Sequence, residues 1–329
     1  MTPPAEKTII TSLFDAGEGP PPGLDALAGE AELRHATNAR ELASALPGAE
    51  VLLVTDFRTG ALGEAWPQAD ALRWIHATSA GVDAVLLPDV VASDIPVTNA
   101  RGIFDRGIAE YVLGAILLFA KDMHGSLRYK HERRWCHRDT ERIDGRRVLI
   151  VGAGSIGRQI GALLKASGME VTGTSGRGRD SDPVFGRVHP AGELHALLGE
   201  ADYVVIAAPL TEATEGLFDA ATLARMSPQA RLINVGRGPI VVSDDLVSAL
   251  REGHIAGAAL DVFEEEPLPP GHPLWELDNV FITAHMAGDF IGWREALIEQ
   301  FIDNFRRWKA GASLLNVVDK RRGYGAANG

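Results

Sequence analysis

The chain has 329 residues, a length that suggests two domains at roughly 150 residues each. Hydrophobic residues make up 46% and charged residues 23%, which excludes a disordered or fibrous chain. The net charge of -12, from 44 acidic against 32 basic residues, argues against a nucleic-acid grip, which needs a clustered basic surface.

The single cysteine, Cys136, forms no intramolecular disulfide, and the first six residues hold no apolar signal core, so the cytoplasm is the default compartment. The longest apolar stretch, residues 111–120, falls far short of the about 20 residues a membrane span needs and reads as a buried helix.

In chain order, short apolar runs occur at 51–54, 74–77, 95–98, 148–151, 203–208, 232–235, 255–260 and 280–283. Helix-length amphipathic stretches lie at 40–46, 155–166, 243–251 and 296–308, and one long helical pattern covers 104–127. Strands alternating with helices imply parallel sheets, and continuous apolar runs imply helices on both sheet faces. A domain boundary falls near residues 99–102, so the centre of the chain forms a separate α/β unit. The periodicity leaves open which unit takes the last helix.

Residues 147–158 place a G-x-G-x-x-G pattern directly after a buried strand and at the start of a helix. Gly152 suits the tight turn, Gly154 the close approach of a pyrophosphate and Gly157 the helix-strand packing, with Ser155 and Ile156 opening the helix toward the anion. The next strand, 170–174, leads to Ser175, where NAD-binding chains place an acidic residue. Without that carboxylate, and with Arg177 and Arg179 close by, the pattern favours NADP(H) and leaves NAD(H) open. A solvated basic loop is the plain alternative.

Three polar residues stand after apolar runs, at carboxyl edges where open α/β sheets bind ligands. Arg237 follows the run 232–235, Glu266 follows 255–260 and His285 follows 280–283. Reduction of a carbonyl needs a hydride donor, a cation to hold the substrate and an acid for the new alkoxide. A carboxylate beside an imidazolium stabilises its charged form. Arg237, Glu266 and His285 supply these roles in sequence order, although spacing alone does not bring them together.

Together these segments resemble the D-isomer-specific 2-hydroxyacid dehydrogenases, nearest to the glyoxylate and hydroxypyruvate reductases. The resemblance rests on residues 148–157, 208–211, 233–238, 258–269, 272–275 and 279–288. It implies two doubly wound parallel-sheet domains, a Rossmann cofactor domain at 101–288 inserted into a flavodoxin-like substrate domain of 1–100 and 289–329. It implies reduction of small 2-keto acids to D-2-hydroxy acids, with Arg237 orienting the substrate, His285 as acid/base and Glu266 as its partner. Asp261 would meet the nicotinamide carboxamide, Pro209, Val235 and Gly288 would border the cofactor, and the amides of Ser79, Ala80 and Gly81 would hold the substrate carboxylate.

The chain departs from the family's common pattern at Gly236, Val242 and Ala284, where the family carries Ala, Asp and Pro. Trp135 resembles an aromatic that reaches a partner's pocket in some relatives, but it reads as a core residue. The apolar helix at 108–120 and the resemblance imply a homodimer. A dinucleotide-sensing corepressor-like regulator is the rival from another class, with no acidic tail or basic arm to support it. Formate dehydrogenases carry Gln where Glu266 stands, and a phosphite-oxidising enzyme, with a similar trio, stays an alternative.

Overall fold

The computed structural model describes residues 7–56 and 60–325. The chain divides into two compact units, one of residues 1–103 with 290–329 and one of residues 104–289. The first unit opens with β1 (Thr8–Leu13), β2 (Ala31–Ala36), α1 (Ala39–Ala45), β3 (Val51–Val54), α2 (Ala61–Ala65), β4 (Trp74–Ala77), α3 (Pro88–Ala92) and β5 (Val97–Asn99). Among the described residues its strands lie in the order β2-β1-β3-β4-β5, all parallel, the flavodoxin-like winding. Leu42, Leu46 and Leu62 pack against Leu52, Val54 and Ile75 on one sheet face.

The second unit contains α4 (Asp105–Ala120), α5 (Met123–His131), β6 (Arg147–Val151), α6 (Ser155–Ala166), β7 (Glu170–Ser175), β8 (Arg179–Asp182), β9 (Gly186–Pro190), α7 (Leu194–Leu197) and β10 (Tyr203–Ile206). It continues with α8 (Ala220–Leu223), β11 (Arg231–Asn234), α9 (Ser243–Arg251), β12 (Gly257–Leu260) and β13 (Val280–Ile282). The sheet order is β13-β12-β11-β10-β6-β7-β9-β8, parallel except for the edge pair β8–β9. Successive side chains of β6 face opposite layers. Val148 and Ile150 meet Val112 and Ile160, whereas Leu149 and Val151 join the layer of Leu246 and Leu250. The winding reverses between β6 and β10, the crevice where such sheets bind ligands.

The chain then returns to the first unit as α10 (Trp293–Lys309), followed by the short pair β14 (Val318–Asp319) and β15 (Tyr324–Gly325). Ile298, Phe301 and Phe305 of α10 cover Ile10, Val51, Leu53 and Trp74 on the second face of that sheet. Phe301 and Phe305 are fully buried, each contributing about 1.5–3 kcal/mol by removal from water. No helix among the described residues is long and apolar enough to cross a membrane.

Two expectations, the single helix and the place of Trp135, need correction. The single helical pattern at 104–127 is two helices, because Asp122 takes a left-handed backbone (φ 43°) and its side chain caps α5 by accepting from Gly125 N. Helix α4 buries Ile108, Val112 and Ile116 within its own unit, while Leu113, Leu117 and Leu118 stay partly exposed. Trp135, expected in the core, is fully exposed. Beyond β7, β8 and β9 form an edge pair, anchored by the buried Asp182 described below.

Candidate active site

The turn after β6 is built around its glycines. Gly152 sits at φ 112°, and a Cβ there would lie 2.5 Å from the Ala207 carbonyl carbon. A Cβ on Gly157 would lie 2.0 Å from the Gly152 oxygen, so α6 packs against the turn only without side chains. Gly154 faces open space and begins α6 with no side-chain cap, which leaves the first N–H groups of the helix for an anion. These features fit the pyrophosphate of a dinucleotide. The Ser155 hydroxyl donates to Asp105, and Ile156 packs partly against the core.

Strand β7 ends at Ser175, whose hydroxyl donates to the Arg177 carbonyl. Arg177 is exposed. Arg179, expected beside it as a partner for a ribose phosphate, is committed elsewhere: its Nη2 donates to Asp182 Oδ2 at 2.9 Å and to the Ala153 carbonyl at 2.9 Å. The Asp182 side chain is fully buried and also accepts from Arg158 Nε at 3.0 Å and from Val184 and Phe185 N at 3.0 and 3.2 Å. Burial opposes its charge, but the two backbone donors and two guanidinium groups bring the carboxyl down to about 2.

The catalytic candidates of the second unit stand on three neighbouring strand ends. After β11, the buried Asn234 accepts from Gly236 N and donates to the Arg237 carbonyl, both at 3.1 Å. A Cβ on Gly238 would lie 1.8 Å from the Phe263 carbonyl carbon, so the Arg237 turn rests directly on the backbone leading to Glu266. Glu266 Oε1 accepts from Phe263 N at 3.0 Å, and Oε2 lies 2.7 Å from His285 Nδ1. Burial works against the Glu266 charge, yet the bonds from His285 and Phe263, with the charges of His285 and Arg237, hold its carboxyl below the ordinary range. Glu266 is therefore the acceptor and His285 Nδ1 the donor.

Asp261 ends β12 and organises the turn that carries His285. Its carbonyl accepts from His285 N at 2.8 Å. Its carboxylate accepts from Thr283 Oγ1 at 2.6 Å and from Met286 and Ala287 N at 2.9 Å each. Three of its roughly four lone-pair positions are thus filled. Pro209 is exposed after β10. Val235 follows β11 and is largely buried, and Gly288 is a close-packing glycine whose Cβ would lie 2.9 Å from the Phe104 ring.

Ser79, Ala80 and Gly81 follow β4 in the first unit. Their carbonyls accept from Ala100 N, from Asn99 Nδ2 and from Ser79 Oγ respectively. Among the described residues these bonds occupy the three carbonyls and not the amides. Asn234, Asp182, Arg158, Thr283 and Tyr111, which donates to Thr283 across 2.8 Å, escape sequence reading. Only Asn234 and Thr283 carry a local signal, as polar residues at strand ends.

Comparison with known proteins places these features in context. The model of the D-isomer specific 2-hydroxyacid dehydrogenase NAD binding domain matches residues 113–287. The chain is 33% identical to a glyoxylate reductase of Thermofilum pendens, over 72% of this chain and 71% of that one. It is 32% identical to glyoxylate/hydroxypyruvate reductase A of Serratia proteamaculans, over 77% and 82%. The structure is similar to that of an NADPH-dependent glyoxylate/hydroxypyruvate reductase from Sinorhizobium meliloti in complex with NADP and sulfate. That match has a TM-score of 0.83 at 29% identity and covers 97% of this chain and all of the other.

Proposed function

The chain belongs to the D-isomer specific 2-hydroxyacid dehydrogenase family and is a nicotinamide-dependent oxidoreductase of 2-keto acids, and from that premise we propose its substrates and the duties of its residues. The substrates are small 2-keto acids of the glyoxylate, hydroxypyruvate and pyruvate type, reduced to D-2-hydroxy acids where a stereocentre forms. The observation that carries this reading is the 2.7 Å pair of His285 Nδ1 and Glu266 Oε2 beside the Arg237 turn.

The bound nicotinamide supplies the hydride. The turn of Gly152, Gly154, Ser155, Ile156 and Gly157 would hold its pyrophosphate, and Asp261 would accept from its carboxamide. Arg237 grips the substrate carboxylate and carbonyl through a planar fork of donors. The Ser79, Ala80 and Gly81 amides of the first unit are assigned to carboxylate binding on the resemblance alone. His285 Nε2 delivers the proton to the carbonyl oxygen while Glu266 stabilises and orients the ring. NADPH is favoured over NADH because Ser175 leaves room for a 2′-phosphate and Arg177 is exposed beside it. A second copy of the chain is the proposed partner, supported by the exposed apolar side chains of Met123, Leu127 and Trp135 on and after α5.

Oxidation of NADPH and NADH with glyoxylate, hydroxypyruvate and pyruvate, run beside NAD(P)+ reduction with formate and phosphite, tests the reading. Turnover with the keto acids supports it. Tight nucleotide binding without turnover of any 2-keto acid contradicts it and favours a dinucleotide-sensing regulator.

A further inference from the structure

His285 sits at φ 53°, in the left-handed region that residues other than glycine seldom enter. The hydrogen bonds that keep the turn in place converge on Asp261, through its carbonyl to His285 N and through its carboxylate to Met286 and Ala287 N. The carboxylate is in turn fixed from behind. Thr283 Oγ1 gives its only proton to Asp261 Oδ1 at 2.6 Å. In the 2.8 Å contact between Thr283 and Tyr111 the tyrosine is therefore the donor. Burial, opposed by the Thr283 bond and assisted by the Asp261 charge, pushes the phenol up to about 12, so it keeps its proton. The Tyr111 ring stacks on Phe281 with centroids 6.5 Å apart, which sets the hydroxyl on β13's side of α4.

We propose that Tyr111 and Thr283 are positioning residues for the reaction, forming with Asp261 a relay from α4 that holds the 285–287 backbone and aims the His285 ring. The relay rests on the reading of His285 as proton donor. Neither residue touches the reacting atoms. Each acts by restricting the Asp261 carboxylate to the orientation in which it accepts both turn amides, so the left-handed backbone of His285 is maintained before substrate arrives. Loss of the Thr283 hydroxyl removes the bond to the carboxylate itself, and loss of the Tyr111 hydroxyl removes only the support behind it.

Hydrogen–deuterium exchange of residues 283–289 in the nucleotide-free protein, with kcat, KM and the NADPH dissociation constant, tests the relay in Thr283→Val, Thr283→Ser and Tyr111→Phe. Thr283→Val should exchange about 10-fold faster in this segment alone and lose about 10-fold in kcat, the factor carried by one charge-assisted hydrogen bond. KM for the keto acid should stay within about 2-fold, while the NADPH dissociation constant should rise by up to about 10-fold because the same Asp261 carboxylate takes the nicotinamide carboxamide. Thr283→Ser should restore both quantities, and Tyr111→Phe should move both in the same direction by about 3-fold. Unchanged exchange in Thr283→Val overturns the proposal, as does an effect that Thr283→Ser fails to rescue. A wild-type protein that turns over no 2-keto acid overturns the proposed function instead, and the exchange measurement still decides the relay.

Discussion

Replacing Asp182 by Asn should loosen the segment next to Ser175 and Arg177, the side chains proposed to discriminate the nucleotides. The Asn oxygen can still accept from Val184 and Phe185 N, which both bind Oδ1. Its amide group, standing where Oδ2 was, faces Arg158 Nε and Arg179 Nη2, so two acceptor contacts become donor-donor contacts. The carboxyl falls from 3.8 to about 2 on folding, which corresponds to about 2.5 kcal/mol of stabilisation of the charged form. In a unit of this size that loss lowers the melting temperature by about 5–10 °C. Because the folded carboxyl is the more acidic one, this stability is present above about pH 4 and is lost as pH falls toward about 2. Thermal unfolding of wild type and Asp182→Asn at pH 7 and pH 3 should therefore give a difference that narrows in acid. Because Arg177 directly precedes this anchor, KM should rise more for NADPH than for NADH. A shift below about 1 °C at pH 7, or a difference that widens as pH falls, would refute the argument.

His76 is fully buried, and burial drops its imidazole to about 3, so the native first unit holds it neutral. The unfolded residue takes a proton below about pH 6.5, so stability should decline from there toward pH 3 by up to about 1.4 kcal/mol per pH unit. Urea unfolding at pH 7 and pH 5 should show that decline in wild type and a flatter slope in His76→Gln. His285→Ala should lower kcat about 100-fold or more, and Arg237→Ala should lower kcat and raise KM together. Glu266→Gln should chiefly reshape the pH profile. The Glu266 carboxyl is depressed, so its support of His285 persists below the ordinary carboxylate range and is lost as pH falls through that lowered value. Ser175→Asp with Arg177→Ala should reverse a preference for NADPH over NADH of about 10- to 150-fold in kcat/KM, and a ratio unmoved by Arg177→Ala would make that arginine a solvated loop residue.

What could be read from the sequence was local. Gly152, Gly154 and Gly157 announce themselves because strand, turn and helix are contiguous in the chain, and Arg237, Glu266 and His285 stand out by following apolar runs. The 2.7 Å meeting of Glu266 and His285 depends on β12 and β13 being neighbours, which spacing does not encode. The Tyr111 to Thr283 bond joins residues 172 apart, and although Thr283 stands at a strand end, nothing around Tyr111 marks the pairing. Asp182 lies in a polar stretch whose composition reads as surface, yet its carboxylate is buried by four donors. Strands β1 and β2 mix polar and apolar residues and show no clear run. Trp135 misleads for the opposite reason, because a large apolar side chain ordinarily marks a core.

Chiral analysis of the lactate formed from pyruvate and reduced nucleotide tests the central claim most directly. In the proposed mechanism the hydride is added to one face of a carbonyl held by Arg237 while His285 protonates the oxygen, and the product is then the D alcohol. Predominant D-lactate is the predicted product. Predominant L-lactate would contradict the account.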